Sequence, residues 1–271
     1  MTLRFGIMCY GTTLAAWEAE CVHRLLAIGV RPAGLIVEKK PPRPPVRWPL
    51  IKKVKTLFTA EKMLWLFYER LFVDGRIPAL RPADMSGILG ALPLVECETA
   101  RKGRFSEYFQ ETDLTRIREL NLDFILRFAF GIIRGAILDV PRYGVWSFHH
   151  DDEEKYRGGP PGFWEIYESD PQTGAMLQRL TDRLDSGVVL RKGGSQTVND
   201  SFVRNRDTSL SGCTAWPAEV CGDILAGNDS LLFAPPSTSA APVYHSPDNR
   251  QMVRFLGKIA RNYLGNRLPR R

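Results

Sequence analysis

Cysteine is scarce and unpatterned in this chain. Its five residues, Cys9, Cys21, Cys97, Cys213 and Cys221, are odd in number and scattered, with no C-x-x-C pair, so neither a disulfide framework nor a cysteine-held zinc site is expected. That usage suits a reduced, cytoplasmic protein. Nowhere do about 18 uncharged apolar residues run together. The opening, Met1 to Met8, passes straight into a strand pattern without the charged, apolar and small-residue sections of a secretion signal. Neither a membrane span nor export is expected. Internal repeats are absent. The turn between the first strand and helix patterns holds one glycine, Gly11, where a dinucleotide site needs G-x-G-x-x-G, so no such site is assigned. Histidine is limited to four residues, which makes the place of each worth following.

What is present can build a core. With 271 residues, 44% of them hydrophobic, the chain suits one large domain or one domain with a small appendage. A formal net charge of +7 favours anionic partners, whether nucleic acid, phosphorylated sugars or acidic lipid, without choosing among them. Leu3 to Cys9 reads as a strand, and Leu14 to Ile28 as a helix capped by Thr12 or Thr13. Ala33 to Val37 is a second strand, set parallel to the first by the right-handed crossover rule. From Glu38 to Arg47 the chain turns basic and proline-rich. It then enters a helix candidate, Ile51 to Phe72, with Lys52, Lys53, Lys55 and Lys62 among Leu57, Phe58, Leu64, Trp65, Leu66, Phe67, Leu71 and Phe72. This insertion, near 38–84, reads as a packed helix with solvated lysines, because aromatic and leucine stripes at helical spacing are ordinarily core. The alternative is a basic amphipathic helix on a membrane surface or a phosphate-rich partner. Leu94 to Cys97 is a third strand, and Asp113 to Leu120 a helix capped near Thr112 or Asp113. Asp123 to Ile133 is a central apolar strand with its exit loop.

The stretch from Trp146 to Leu190 holds the residues that carry chemistry. His149 and His150 end a short apolar run, Gly144 to Phe148, that opens into a polar Gly/Pro-rich loop; strand ends opening into loops are where α/β folds place their chemistry. His149 is a candidate general acid or base, since an imidazole takes up and returns a proton near neutral pH. A structural or surface histidine is the alternative. Asp185 sits in a Leu184-Asp185-Ser186-Gly187 turn between two strand-like runs, where a carboxylate is often only a turn former. The acidic run Asp151 to Glu154 reads as a solvent-facing loop, with a reader of a cationic acceptor as the alternative. Downstream, Thr208 to Ala226 is helical, with Pro217 suited to a first turn and Gly227-Asn228 to a stop. Phe233 to Val243 is an extended loop, and Asp248 to Arg271 a basic amphipathic tail.

After His149 the chain carries Tyr156-Arg157-Gly158, Pro161, Trp164, Ile166, Thr173-Gly174 and Leu184-Asp185-Ser186-Gly187. In order and spacing these resemble the N10-formyltetrahydrofolate-dependent formyltransferases. That family carries Asn-x-His at a strand end, a Ser-Leu-Leu-Pro-x-Tyr-Arg-Gly loop, a Thr-Gly strand start and a Leu-Asp-x-Gly turn. It includes the catalytic domain of methionyl-tRNA formyltransferase, glycinamide ribonucleotide formyltransferase and the sugar N-formyltransferases. The resemblance implies an α/β, Rossmann-like formyltransferase fold, a mostly parallel sheet with helices on both faces. A catalytic domain would span 1–193 and a short C-terminal helical and loop extension 194–271. It also implies an enzyme that transfers a formyl group from N10-formyltetrahydrofolate, its cosubstrate, to a primary amine of a small acceptor, an amino sugar or natural-product amine, without a metal.

Roles follow from the same resemblance. His149 would take the proton of the attacking amine or stabilise the tetrahedral intermediate, and Asp185 would hold the imidazole or an ordered water and help proton transfer to the departing folate nitrogen. Ser147 stands where the family has the asparagine whose amide polarises the formyl oxygen. Ala129-Phe130-Gly131 resembles the family's Ala-Tyr-Gly loop along the pterin pocket. Phe128, Phe130, Gly131 and Ile132, with Asp185, are therefore the folate-binding candidates, core packing being the alternative for each phenylalanine.

The departures gather at the chemistry. Ser147 replaces asparagine, and His150 to Glu154 replaces Pro-Ser-Leu-Leu-Pro. A hydroxyl donates one hydrogen bond but is shorter and needs a neighbour to orient it. Two alternatives to transfer stand beside it: hydrolysis of the formyl-folate, suggested by the adjacent histidines and the missing asparagine, and a non-catalytic ligand-binding descendant. Residues 194–271 lack the alternating strands of a tRNA-holding barrel, which argues against initiator tRNA as acceptor. Peripheral membrane contact through the basic helices stays open, with a solvated charged face as the plainer reading.

Overall fold

A computed structural model describes residues 2–39, 61–103, 106–183, 187–239 and 241–267. The proline-rich stretch, the first part of the expected insertion helix (51–60), the Leu184-Asp185-Ser186 turn and the tail beyond Arg267 lie outside the described residues. Asp185 is among them.

Apolar runs at strand length build one sheet from β1 (Arg4–Cys9), β2 (Arg31–Glu38), β3 (Leu94–Cys97), β4 (Phe124–Arg127), β5 (Val145–His149), β6 (Gln172–Arg179) and β7 (Val188–Gln196). Their order is β3-β2-β1-β4-β5-β6-β7. The first five are parallel, and β6 and β7 form an antiparallel hairpin added to β5. The strand order reverses at β1, which has β2 on one side and β4 on the other. Such switch points open a crevice at the carboxyl ends of the strands. Cys9, Arg127 and His149 close β1, β4 and β5 on that edge.

Both faces of the sheet are covered, as continuous apolar strands require. On one side Trp146 stacks on Phe124 at 4.0 Å, and Phe148 meets Trp17 of α1 (Ala16–Ala27) edge-on at 5.1 Å. On the other, Ile125 and Val145 pack with Leu114 and Ile117 of α3 (Glu111–Glu119). The first side also gathers α2 (Met63–Tyr68), α4 (Phe163–Glu168), α5 (Phe202–Gly212), α6 (Trp216–Leu225) and α7 (Asn249–Arg267). In the described part of the insertion, Trp65 is buried against Phe163 at 5.5 Å and Phe202 at 5.7 Å. That agrees with a packed helix, although Leu66, Phe67, Leu71 and Phe72 are exposed. Phe255 of α7 is fully buried and stacks on Phe163 at 4.2 Å, so the last helix is welded to the main core.

Several local expectations are corrected. Neither Thr12 nor Thr13 caps α1. Thr13–Ala15 is drawn into an antiparallel ladder with Pro82–Asp84, and the Glu18 carboxylate accepts from the Ala15 amide at 2.9 Å instead. α3 starts at Glu111 without a side-chain cap, because the Asp113 carboxylate accepts from the Glu98 amide at 2.9 Å and ties the helix to the end of β3. The helix expected over 208–226 is two helices. The first is capped by the Ser201 hydroxyl, which accepts from the Arg204 amide at 3.3 Å; Pro217 does start the second. Part of the expected loop is ordered as strand: Val243–Tyr244 pairs in parallel with Arg157–Gly158.

The Thr173-Gly174 pair has a physical reason. The buried Asn205 side chain donates to the Thr173 hydroxyl and the Gly162 carbonyl, both at 2.9 Å, and accepts from the Val198 amide at 2.9 Å, pinning the glycine-proline loop to β6. At Gly174 a β-carbon would lie 2.8 Å from the Asp152 amide nitrogen. Only glycine lets the acidic loop cross so closely. Gly174→Ala should therefore lower stability by about 1–3 kcal/mol, the usual range for overpacking, read as a fall in thermal midpoint. An unchanged midpoint would mean that the loop moves aside freely.

Candidate active site

Side chains alternate along a strand, and β5 uses this to separate its chemistry. Ser147 and His149 face one side, with Trp146, Phe148 and then His150 on the other. His149 is half-buried and lines a cavity of about 170 Å³ with Asp151, Glu153, Arg157, Gly158, Met176 and Val243. The solvent-facing expectation for the acidic run is overturned for Asp151 and Glu153, which are buried. The Asp152 and Glu154 carboxylates instead both lie 2.8 Å from the Lys192 amine on β7. The backbone turns here, with the Tyr156 amide donating to the Asp152 carbonyl at 2.7 Å, and that turn divides the four acids into two sets.

His150 does not join His149. Its ring sits edge-on to Trp17 at 5.0 Å and parallel to Phe148 at 5.9 Å, with Nδ1 3.9 Å from Cys213 Sγ. Burial above all, then the charges of Arg206 and His149, push its pKa down to about 3, so the imidazole stays neutral.

Ser147 is buried, and its hydroxyl is an acceptor. Arg127 of the neighbouring strand donates to Ser147 Oγ from Nε at 3.2 Å and from Nη2 at 2.9 Å. Nη1 donates to the Phe130 carbonyl at 3.1 Å and the Gly131 carbonyl at 2.7 Å. Burial lowers the guanidinium's pKa, with Tyr10 and Glu107 opposing, and an arginine keeps its charge through such a shift. Arg127 did not stand out in the sequence reading. The signal was a lone cation closing the apolar run Phe124-Ile125-Leu126, where only a fully bonded charge is tolerated.

The four folate-loop candidates follow directly. Phe128 meets Trp17 edge-on at 5.4 Å; Phe130, in the left-handed region at φ 66°, is buried 5.1 Å from Phe109. The Gly131 amide donates to the buried Glu107 carboxylate at 3.0 Å. Gly131 itself is exposed and Ile132 half-buried. The outer side of the loop thus offers backbone and an apolar side chain, a surface that fits a flat heterocycle.

A cleft of about 1140 Å³ adjoins the His149 cavity, with Gly158 and Val243 in both walls. Its sides are Trp65, Leu66 and Glu69, the glycine-proline segment 158–161, Phe202 and Arg206 of α5, and Val243 to Ser246. Arg206, whose pKa burial lowers against the pull of Glu165 and Glu69, donates to the Pro161 carbonyl at 3.4 Å.

This sheet, with its hairpin beyond β5, is the formyltransferase fold. It matches the solved glycinamide ribonucleotide transformylase 1 of Symbiobacterium toebii with a TM-score of 0.53 at 12% identity, over 83% of this chain and 89% of that one. The phosphoribosylglycinamide formyltransferase of Bacillus halodurans matches with a TM-score of 0.50 at 13% identity, over 85% of this chain and 100% of that one. In sequence the chain is similar to methionyl-tRNA formyltransferases. That of Prochlorococcus marinus is 35% identical over 83 residues, 30% of this chain and 24% of the relative. That of Citrifermentans bemidjiense is 38% identical over 99 residues, 36% of this chain and 31% of the relative. The matched stretches thus cover less than a third of these relatives. No family model matches the chain. In fold and in sequence the chain resembles the formyltransferase family.

Glu165 of α4 is buried, and its Oε1 has no hydrogen-bond partner among the described residues. Burial raises its pKa to about 7, with Asp151 and Asp170 adding to the rise. A folded pKa above the unfolded value of about 4.5 contributes stability below pH 4.5 that is lost as pH rises through 7. The loss is on the order of 3 kcal/mol. Glu165→Gln should flatten the decline in thermal midpoint between these pH values. A variant whose midpoint falls as steeply as that of the wild type would contradict the assignment.

Proposed function

We propose that this protein transfers a formyl group from N10-formyltetrahydrofolate to a primary amine of a small acceptor. The observation that carries the proposal is His149, half-buried at the end of β5 and lining a cavity with Asp151 and Glu153 that adjoins the larger cleft. The formyl-folate supplies an activated one-carbon group. Carboxylates beside an imidazole draw a cationic amine close, and His149 then takes the proton that makes its nitrogen a nucleophile. The amine nitrogen bonds to the formyl carbon, the bond from that carbon to N10 breaks, and the amine's proton ends on N10. Phe128, Phe130, Gly131 and Ile132 are assigned to the pterin, and Asp185 to orienting His149, as the resemblance implies.

A small acceptor is favoured by the cleft, whose volume matches the few hundred to a thousand Å³ of small-molecule sites. Its walls set Lys62, Arg81 and Arg206 with Glu61, Glu69 and Asp74 among apolar Trp65, Leu66 and Phe202, and charges of both signs on an apolar wall suit an amino sugar. The sequence relatives are named for methionyl-tRNA, so tRNA belongs in the test. The adjacent-histidine argument for hydrolysis weakens, because His150 packs on Trp17 away from His149, while the missing asparagine keeps hydrolysis in the test.

The purified protein should be incubated with N10-formyltetrahydrofolate alone, with a panel of free and nucleotide-linked amino sugars, and with methionyl-tRNA. Tetrahydrofolate is followed by absorbance and the formamide product by mass. Turnover should require an amine, and His149→Ala should slow it by about 10²–10⁴-fold, the typical contribution of a general acid or base. Equal turnover without any amine would establish hydrolysis instead. Preferential formylation of the tRNA would sink the small-acceptor reading.

A further inference from the structure

The guanidinium of Arg127 lies directly against the Ser147 hydroxyl, with Nε at 3.2 Å and Nη2 at 2.9 Å. We infer that Arg127, seated on Ser147, is the charged donor that polarises the formyl oxygen in this enzyme, with Ser147 as its positioning residue. The inference rests on the formyl-transfer reading proposed above.

Three observations carry it. First, Ser147 Oγ accepts two guanidinium hydrogen bonds, from Nε and Nη2, so both its lone pairs face Arg127 and the buried hydroxyl serves as a seat. Second, Nη1 is spent on the carbonyls of Phe130 and Gly131, which fixes the plane of the group against the very loop assigned to the pterin. A guanidinium has five N–H groups, and with these four bonds one hydrogen, on Nη2, has no acceptor among the described residues. Third, the guanidinium lies at the C-terminal ends of β4 and β5, where Arg127 is in register with Ser147 and His149 lies two residues further on the same face. One strand end thus holds the proton acceptor and the next a fixed cation.

The chemistry needs this pairing. As the amine attacks, the formyl oxygen gains negative charge, and a preorganised donor aimed at it is worth most in a site screened from water. A cation already held by four bonds does not have to reorganise at that moment. Deleting one such donor typically costs 10²–10³-fold in kcat. An interaction made only as the charge develops lowers kcat and leaves KM for the folate nearly unchanged.

The test uses the full chain, N10-formyltetrahydrofolate and hydroxylamine as a small surrogate amine, with the hydroxamate product read colorimetrically. Calorimetry with 5-formyltetrahydrofolate runs alongside. Arg127→Met should lose about 10²–10³-fold in kcat, a larger change than the rise in KM for the formyl-folate that follows from releasing the Phe130 and Gly131 carbonyls. Ser147→Ala, which removes only the seat, should lose less. Adding Ser147→Asn to Arg127→Met should restore at least tenfold, because an amide then replaces the guanidinium; a purely structural role for Arg127 would give no such rescue. If Arg127→Met does not fold, Arg127→Lys keeps the charge without the planar fork and should show the same split between kcat and KM. Full kcat in Arg127→Met, or a loss confined to KM, overturns the inference alone. A wild-type protein that neither binds 5-formyltetrahydrofolate nor turns over the formyl-folate overturns the folate reading and the inference together.

Discussion

A cation set at the end of a central strand must find bonds for nearly all its hydrogens, and this requirement shapes the reactive edge of the sheet. Arg127 meets it by reaching sideways to Ser147 on β5 and forward to the carbonyls of Phe130 and Gly131. The loop after β4 is held in the bend that puts Phe130 in the left-handed region, and the Glu107 carboxylate completes the fit by accepting from the Gly131 amide. Residue 147 is small where the guanidinium needs room. The same pairing fixes β5 against β4 at the register that brings His149 to the crevice.

Around this seam the chain solves a second problem, how to hold acids beside a histidine without letting them drift into solvent. Asp152 and Glu154 are tied to Lys192, which leaves Asp151 and Glu153 turned inward. Gly174 lets that loop lie on β6, and the Asn205 bonds hold the adjoining glycine-proline segment. Packing, in this sense, positions charge. The strand Val243–Tyr244 then walls the cleft, and helix α7 packs Phe255 on Phe163 in the core beneath it.

The strands were legible because four or more apolar residues bounded by turn formers admit few other structures, and β1, β3 and β5 lie close to where that pattern puts them. The mostly parallel sheet was legible too, through the ordered matches from Tyr156 to Gly187. Less visible were features that depend on partners distant in the chain. The Ser201 cap and the small ladder of Thr13–Ala15 with Pro82–Asp84 are weak local signals. The opposed directions of His149 and His150 follow from strand alternation, once β5 is extended by one residue to His149. The Arg127–Ser147 bond could not be read locally, since it spans 20 residues and exists only because β4 lies beside β5. Of the candidate site residues, Ser147 and His149 share one strand face and Phe128 to Ile132 lie at the end of the next.

The most direct test of the account is a crystal structure of the protein with 5-formyltetrahydrofolate. The account predicts the pterin on the outer side of the Phe128 to Ile132 loop and the formyl oxygen within hydrogen-bond distance of the Arg127 guanidinium, with the His149 ring beside the formyl carbon. Folate bound only in the large cleft, or with its formyl group remote from both Arg127 and His149, would contradict it.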